Sequence, residues 1–208
     1  MMPPIRAALL SLALLSGCGA LGAVSDATAR LDAYTLTPYA PSGKPAGGSR
    51  HLVVELPTSS GALSTDRILI KPLPFQAEYL PDGRWSEPAP SLLQTLLVAS
   101  FQNAGGFRLV GRDGAGLMPD YTLMTELQEF QAELNGPSPA EAPAALTVKI
   151  SVMMTLIRES DRRIIASRRF SATAQAPSDE TLALVGGFDS ALQTVLQDAV
   201  RWTVAQAG

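Results

Sequence analysis

Cysteine and histidine are almost missing from this sequence, which contains one of each in 208 residues. A single cysteine cannot form a disulfide within the chain, so an oxidising compartment leaves its covalent structure unchanged. With only Cys18 and His51, the chain excludes the usual cysteine and histidine zinc sites and a Cys-His nucleophile. No serine lies in the G-x-S-x-G pattern of a nucleophile elbow. We therefore expect no catalytic residue, no metal and no cofactor.

Strong charge and long basic runs are missing as well. The chain has 16 lysines and arginines against 19 aspartates and glutamates, which gives a formal charge of −3. A mildly acidic protein without a basic run is a poor ligand for nucleic acid and for anionic membrane surfaces. We therefore expect no nucleic-acid partner, and attachment to a membrane has to depend on something other than charge.

The N-terminal residues predict such an attachment. Arg6 precedes the apolar residues 7–15, which is the order typical of a secretory signal peptide. This run is too short to cross a bilayer, which requires about 20 helical residues. The sequence Leu15-Ser16-Gly17-Cys18 then resembles a bacterial lipobox, in which the cysteine is diacylated and the preceding bond is cut. We expect residues 1–17 to be removed and Cys18 to be lipidated; the alternative is an ordinary signal peptide that contains a cysteine.

The rest of the chain is expected to be a flexible lipidated tether, residues 18–32, followed by one domain, residues 33–208. Short β-branched and apolar runs that end at prolines predict strands at residues 52–56 and 66–70. A further extended piece runs through Phe75 and Ala77 to Tyr79, and Pro81-Asp82-Gly83 is a turn signal before Arg84 and Trp85.

An amphipathic helix of about four turns is predicted next. Leucines and Phe101 recur at helical spacing after Ser91, and Gly105-Gly106 provides the C-terminal cap. Ser91 and Gln94 have the spacing of a capping box, in which the two side chains bind free amide groups at the helix start.

The second half of the chain contains the longest predicted strands. In residues 121–134 the apolar phase shifts by one residue, which predicts a bulge near Gln128-Glu129. A proline-rich loop at residues 136–145 separates this strand from residues 146–156, which alternate regularly between apolar and polar side chains. A turn then leads to the partner strand, residues 164–174.

A long helix is predicted at the C-terminus. Ser178 or Asp179 is expected to cap it, and Gly186-Gly187 is expected to kink or split it, because glycine weakens a helix interior. The order of the elements indicates an α+β fold, with two main helices packed on one face of a mostly antiparallel sheet.

Five arginines surround the turn of the second hairpin: Arg158, Arg162, Arg163, Arg168 and Arg169. They are suited to an acidic partner or a lipid phosphate. Alternatively, they form a solvated hairpin end that Glu159 and Asp161 balance.

Several motifs occur in an order that resembles a known family. After the lipobox come Tyr34-x-Leu36, Asp66-Arg67-Ile68, Tyr79, Arg84-Trp85, Pro88, Leu92 and Leu93, then Asp120-Tyr121-x-Leu123, Phe130 and Arg168-Arg169-Phe170. This order is similar to that of the ABC-type transport auxiliary lipoproteins, the PqiC-like family. The matching positions span essentially the whole mature chain.

The resemblance implies a non-enzymatic, periplasm-facing lipoprotein of an ABC transport system for lipids or other hydrophobic molecules. Its implied partners are an MCE-domain protein, the ABC permease and ATPase, and a second copy of the chain in a possible homo-oligomer. It also implies retention in the outer membrane, since Gly19 rather than aspartate follows Cys18.

The resemblance gives four candidate partner contacts: Asp66, Arg67, Tyr79 and Trp85. A buried Asp-Arg pair with an aromatic plug would leave the same pattern in the sequence. Two other functions stay open at this point. One is an envelope-assembly lipoprotein that plugs or chaperones an outer-membrane protein, and the other is a lipid-active hydrolase, which the missing triad disfavours.

Overall fold

The long strand between Tyr121 and Leu134 organises the sheet. The computed structural model describes residues 31–43, 47–114, 116, 118–134 and 146–208. In chain order the elements are β1 (Asp32–Tyr34), β2 (His51–Val54), β3 (Thr58–Ser59), β4 (Arg67–Lys71), β5 (Glu78–Trp85), α1 (Ala89–Ala104), β6 (Leu109–Arg112), β7 (Tyr121–Leu134), β8 (Leu146–Arg158), β9 (Arg163–Ala176) and α2 (Thr181–Ala207). The predicted signal peptide, most of the tether and the proline-rich loop lie outside the described residues.

The sheet is mixed, which corrects the prediction of a mostly antiparallel one. Along one edge β7 pairs with β8 in antiparallel fashion, and β8 pairs likewise with β9. Along its other edge β7 pairs with β2, β3 and β4 in succession, and all three run parallel to it. β5 is antiparallel to β4, whereas β1 is parallel to β5 and β6 is parallel to β2.

The helix α1 explains why β6 runs parallel to β2. The amide of Ala89 donates to the Thr65 carbonyl at the start of α1, and after its end the amide of Arg108 donates to the Arg50 carbonyl. The helix therefore carries the chain back to the end of the sheet where β2 begins. A parallel pair requires such a crossover connection, so β6 runs in the same direction as β2.

The bulge predicted in β7 is confirmed. Leu127 lies opposite Val152 and Glu129 lies opposite Ser151, so Gln128 is the extra residue. Because of this residue, Leu123 and Leu127 before the bulge and Phe130 after it are all buried. The bulge therefore keeps both halves of β7 facing the helices.

The α+β fold with two main helices on one face of the sheet is also confirmed. α2 packs on β8 and β9, and α1 packs on β2, β6 and α2. The inward side chains of β8 are completely buried below the helices: Val148, Ile150, Val152, Met154 and Leu156. The hydrophobic effect on these apolar side chains is the main force that holds the two layers together.

The ends of the helices differ from the predictions. α1 begins at Ala89, with Pro90 in its first turn, so the capping box at Ser91 does not form. Proline is well suited to this position because the first amides of a helix lack intrahelical partners. Gln94 instead donates from Nε2 to the Val54 carbonyl, at 3.0 Å, and to Asp113 Oδ1, at 2.9 Å. At α2, Glu180 is the N-cap in place of Ser178 or Asp179.

The predicted split of the last helix is wrong, since α2 continues from Thr181 to Ala207. The two glycines have different surroundings. Gly186 is exposed, whereas Gly187 is buried so close to β8 that a Cβ atom would lie 3.0 Å from Val148 Cγ2. The absence of a side chain at Gly187 therefore lets the helix approach the sheet.

These two glycines allow a matched test of helix packing. Gly186→Leu should raise the free energy of unfolding by about 0.5–0.8 kcal/mol, because leucine is a better helix former than glycine and its side chain meets open space. Gly187→Leu should lower it by about 1–3 kcal/mol, because the added side chain has to displace Val148. Urea unfolding measures both values, and equal effects of the two substitutions would contradict this packing.

Candidate functional site

All four predicted contact residues lie on the hairpin that β4 and β5 form. Asp66 immediately precedes β4, Arg67 is its first residue, and Tyr79 and Trp85 belong to β5. Arg67 lies opposite Arg84, and Leu69 lies opposite Tyr79. The structure therefore brings together residues that are up to 19 positions apart in the sequence.

The predicted turn at Pro81-Asp82-Gly83 is wrong, because these residues continue β5. Arg84 pairs with Arg67 and Tyr79 pairs with Leu69, so residues 80–83 of β5 lie opposite the single residue Ile68 of β4. The three surplus residues are accommodated as a large irregular bulge in which Pro81 and Asp82 are exposed. Gly83 is buried and pairs with Asp32 of β1, so the strand continues where the sequence predicts an end.

Trp85 belongs to the core of the protein. Its side chain is completely buried, with ring centroids 5.4 Å from Phe130 of β7 and 5.1 Å from Phe188 of α2. Phe130 and Phe188 are themselves 5.1 Å apart. In this fold Trp85 has no exposed surface to offer to a partner, so the alternative of a buried aromatic plug describes its position.

Asp66 and Arg67 do not form the pair that their adjacency suggests. The carboxylate of Asp66 accepts a hydrogen bond from Arg84 Nη1 at 3.3 Å. Arg67 donates from Nη2 to the Leu80 carbonyl at 3.2 Å, and its guanidinium carbon lies 5.6 Å from the centre of the Tyr79 ring. This cation–π contact joins β4 to β5 on the surface side of the hairpin.

Tyr79 and Asp66 are the most accessible members of the group, and Arg67 is half-buried. The side chain of Asp66 is 39% exposed and Tyr79 is 38% exposed. The Tyr79 hydroxyl donates to the Ala62 carbonyl at 3.2 Å. A carboxylate, a guanidinium and an aromatic ring are thus held in place on one exposed strip, which is a composition suited to protein recognition.

Beyond this strip, the hairpin ends in an apolar tip, residues 72–77. Leu73 is 60% exposed, and Phe75 is fully exposed with a positive φ of 68°. The amide of Gln76 closes the turn on the Leu73 carbonyl at 3.1 Å. The extended piece predicted through Phe75 is therefore wrong at this residue, which lies in the tip. The alternation of proline with large apolar residues in Pro72-Leu73-Pro74-Phe75 is the signal that could have revealed it.

Three charged residues join the strands at the base of the tip. Glu133 of β7 lies between Lys71 of β4, at 3.8 Å, and Lys149 of β8, at 2.6 Å. Burial raises the pKa of Glu133, but the hydrogen bonds from Lys149 and Gln131 and the nearby positive charges outweigh it. The pKa of Glu133 therefore lies below its ordinary value, and the hydrogen bond to Glu133 raises the pKa of Lys149.

The arginines of the β8–β9 turn are partly paired with neighbouring carboxylates. Arg158 donates from Nε and Nη2 to Asp161, at 3.0 and 2.7 Å, and Arg162 donates to Glu159 at 3.1 Å. The hydrogen bond from Arg158 lowers the pKa of Asp161. These contacts favour the interpretation of a solvated and balanced hairpin end.

His51 lies half-buried at the start of β2, where its backbone amide donates to Asp120 Oδ2 at 2.7 Å. Within the described ranges, no group of three histidine, cysteine, aspartate or glutamate side chains is arranged to hold a metal ion. Among the helices of the same ranges, none combines the length and the hydropathy needed to cross a membrane.

Comparison with known proteins identifies relatives over most of the chain. A family model described as the ABC-type transport auxiliary lipoprotein component matches residues 34–200. The crystal structure of protein XCC0632 from Xanthomonas campestris has a TM-score of 0.73 and 25% identity, and the match covers 86% of this chain and 96% of that one. A solved structure of an uncharacterised protein has the same fold, with a TM-score of 0.59, 18% identity, and coverage of 82% and 99%.

A curated relative from Bradyrhizobium diazoefficiens, the uncharacterised protein bll6063, is 25% identical over 159 residues. The match covers 75% of this chain and 40% of the relative. The chain therefore spans about two fifths of the length of the curated protein that it matches.

The burial of Trp85 predicts that its role is structural. Trp85→Ala should lower the free energy of unfolding by about 3–5 kcal/mol, because it leaves a cavity between β5, β7 and α2. Tyr79→Ala should cost about 1 kcal/mol or less, because it removes an exposed cation–π contact. Chemical denaturation compares the two variants, and a loss at Trp85 no greater than that at Tyr79 would contradict the core position.

The lowered pKa of Glu133 predicts a pH dependence of stability. The ordinary pKa is 4.5 and the folded-state pKa is lower, so the ion pairs stabilise the fold above the ordinary value. This contribution is lost as the pH falls through the folded-state pKa. Glu133→Gln should therefore flatten the decrease in unfolding free energy between about pH 5 and pH 3. Parallel curves for the two proteins in urea titrations would contradict the assigned pairing.

Proposed function

This chain belongs to the family of ABC-type transport auxiliary lipoprotein components, and we propose that it is the membrane-anchored accessory subunit of a system that moves lipids or other hydrophobic molecules across the bacterial envelope. In this role it docks on other components and performs no chemistry of its own. Its proposed partners are an MCE-domain protein and the ABC permease and ATPase of the same system.

The observation that carries a docking role is the filled interface between sheet and helices. A site for a small hydrophobic ligand needs a cavity of roughly 300–1,000 Å³. Between β5, β7 and α2 the rings of Trp85, Phe130 and Phe188 instead pack with centroids 5.1–5.4 Å apart. The larger cavities of the described residues, about 480 and 390 Å³, lie elsewhere and open at the surface. The aromatic packing and these open cavities support a domain that acts through its surface.

The anchor in this proposal is Cys18. A lipoprotein family requires a lipid attachment point, and the sequence Leu15-Ser16-Gly17-Cys18 is the candidate in this chain. Two or more acyl chains would hold the protein on a membrane stably, whereas one would do so reversibly. We propose the outer membrane, because Gly19 follows the cysteine, with residues 18–32 as the tether and residues 33–208 as the domain.

The strip formed by Asp66, Arg67 and Tyr79 is the proposed contact with transport partners. Arg67 and Tyr79 are held against each other, so little side-chain entropy would be lost when a partner covers them. Aromatic and arginine side chains contribute disproportionately to protein interfaces. We also propose association between copies of the chain, since β9 is an edge strand among the described strands and edge strands are common sites of pairing between chains.

Affinity purification of the tagged full-length protein from native membranes tests the proposal. Quantitative mass spectrometry should recover the MCE-domain protein and the ABC components, with Cys18 lipidated. Tyr79→Ala should reduce their recovery about five-fold or more, the effect expected if an interface residue contributes about 1 kcal/mol. Leu109→Ala is the matched control, because Leu109 is similarly exposed, at 42%, but lies on β6. It should leave recovery unchanged.

Three results would contradict the proposal, each at a different point. Repeated recovery of an outer-membrane β-barrel protein without transport components would favour the envelope-assembly alternative. Equal loss of partners in the Tyr79 and Leu109 variants would show that the strip is not the contact surface. Cys18→Ser should release the protein from the membrane fraction, and its retention there would refute the anchor.

A further inference from the structure

The tip of the β4–β5 hairpin exposes two large apolar side chains that lie outside the strip formed by Asp66, Arg67 and Tyr79. Single exposed apolar residues are common on protein surfaces. Here, however, Leu73 and Phe75 project from the same turn, and the more exposed of the two has a backbone conformation that bulky residues rarely adopt. We propose that residues 72–77 insert Leu73 and Phe75 into the interfacial region of the bilayer that holds the lipidated Cys18. This inference rests on the proposed anchor and adds a second point of membrane contact.

The tip is constrained, so its side chains are presented outward before any contact forms. Pro72 and Pro74 fix their own backbone φ angles, and the Gln76 amide closes the turn on the Leu73 carbonyl. Below the tip, the ion pairs of Glu133 with Lys71 and Lys149 tie β4 to the two central strands. Insertion would therefore cost little additional ordering of the loop.

The direction of β1 brings the chain into the domain from the side on which the tip lies. β1 runs parallel to β5, with Asp32 opposite Gly83, so the chain enters β1 from the side on which β5 begins. From Gly83 to Phe75 the hairpin extends at most about 25 Å at strand spacing. The residues from Cys18 to Leu31 can span up to about 45–50 Å. The chain is therefore long enough for Cys18 and the tip to reach one membrane surface.

The chemistry of the tip favours lipid as its occupant. Leucine, phenylalanine and proline supply apolar surface, and the nearby charges of Lys71 and Lys149 are offset by Glu133 and Glu78. Attraction to anionic headgroups would thus be weak, and the apolar side chains would provide the contact. With a lipid anchor close by, even a weak insertion becomes effective, because the second contact is intramolecular.

A fluorophore at the tip tests this inference directly. In the lipidated protein, Cys18 is blocked, so a cysteine introduced by Phe75→Cys is the only thiol that an NBD probe can label. The labelled protein is reconstituted in vesicles of phosphatidylethanolamine and phosphatidylglycerol that contain spin-labelled lipid. We expect blue-shifted emission and quenching by the lipid. Met118→Cys is the control, because Met118 is 91% exposed and precedes β7, at the opposite end of that strand.

The outcomes separate this inference from the proposed function. If the probe at position 75 is quenched no more than the probe at position 118, while the protein stays on the vesicles, the tip does not insert. If Phe75→Ser instead abolishes recovery of a protein partner without any lipid quenching, the tip is a protein contact and the inference is wrong. If Cys18 is unmodified and the protein stays in solution, the proposed lipid anchor is wrong. The inference of tip insertion is then wrong as well, because it depends on that anchor.

Discussion

The contact among Trp85, Phe130 and Phe188 is the interaction on which the rest of the structure depends. Each ring comes from a different element, so the cluster joins β5, β7 and α2 at one point. Phe130 reaches this cluster because Gln128 is accommodated as an extra residue in β7. Without that bulge, the alternation of a strand would direct Phe130 to the opposite face of the sheet. A local irregularity in one strand is therefore a condition for packing the core.

Local patterns predicted the parts of the fold that local interactions determine. The alternation in β8, the phase shift in β7 and the spacing of leucines in α1 each reflect burial of one face, and all three are present. These patterns gave wrong predictions where a residue distant in the sequence determines the local structure. Gly186-Gly187 does not break α2, because Gly187 packs on Val148, and Pro81-Asp82-Gly83 does not form a turn, because β1 pairs with Gly83. Parallel pairing of β2, β3 and β4 with β7 leaves no local signature at all.

The candidate site likewise combines residues that the sequence predicted with residues whose position only the fold reveals. The family resemblance selected four residues that the fold gathers on one hairpin, although only three of them retain accessible surface. Trp85 follows the same sequence pattern because it anchors the hairpin to the core beneath the strip. The apolar tip escaped prediction, since a run with Phe75 and Tyr79 suits a strand equally well and only the fold shows that Phe75 is solvated. Burial therefore distinguishes Trp85, which supports this surface from below, from the residues that a partner can reach.

The order in which the strands occur along the chain has a consequence for biogenesis. Leu52 pairs with Tyr121 and Leu69 pairs with Gln131, so three successive early strands have their partner in a segment synthesised much later. During synthesis and export from the N-terminus, these strands cannot complete their hydrogen bonds until β7 has emerged. The β8–β9 hairpin, by contrast, closes across a short turn. Non-local pairing of this kind slows folding and prolongs the exposure of unpaired strands. The segment from β2 to β4 is thus the described part of the chain that waits longest for its hydrogen-bond partners.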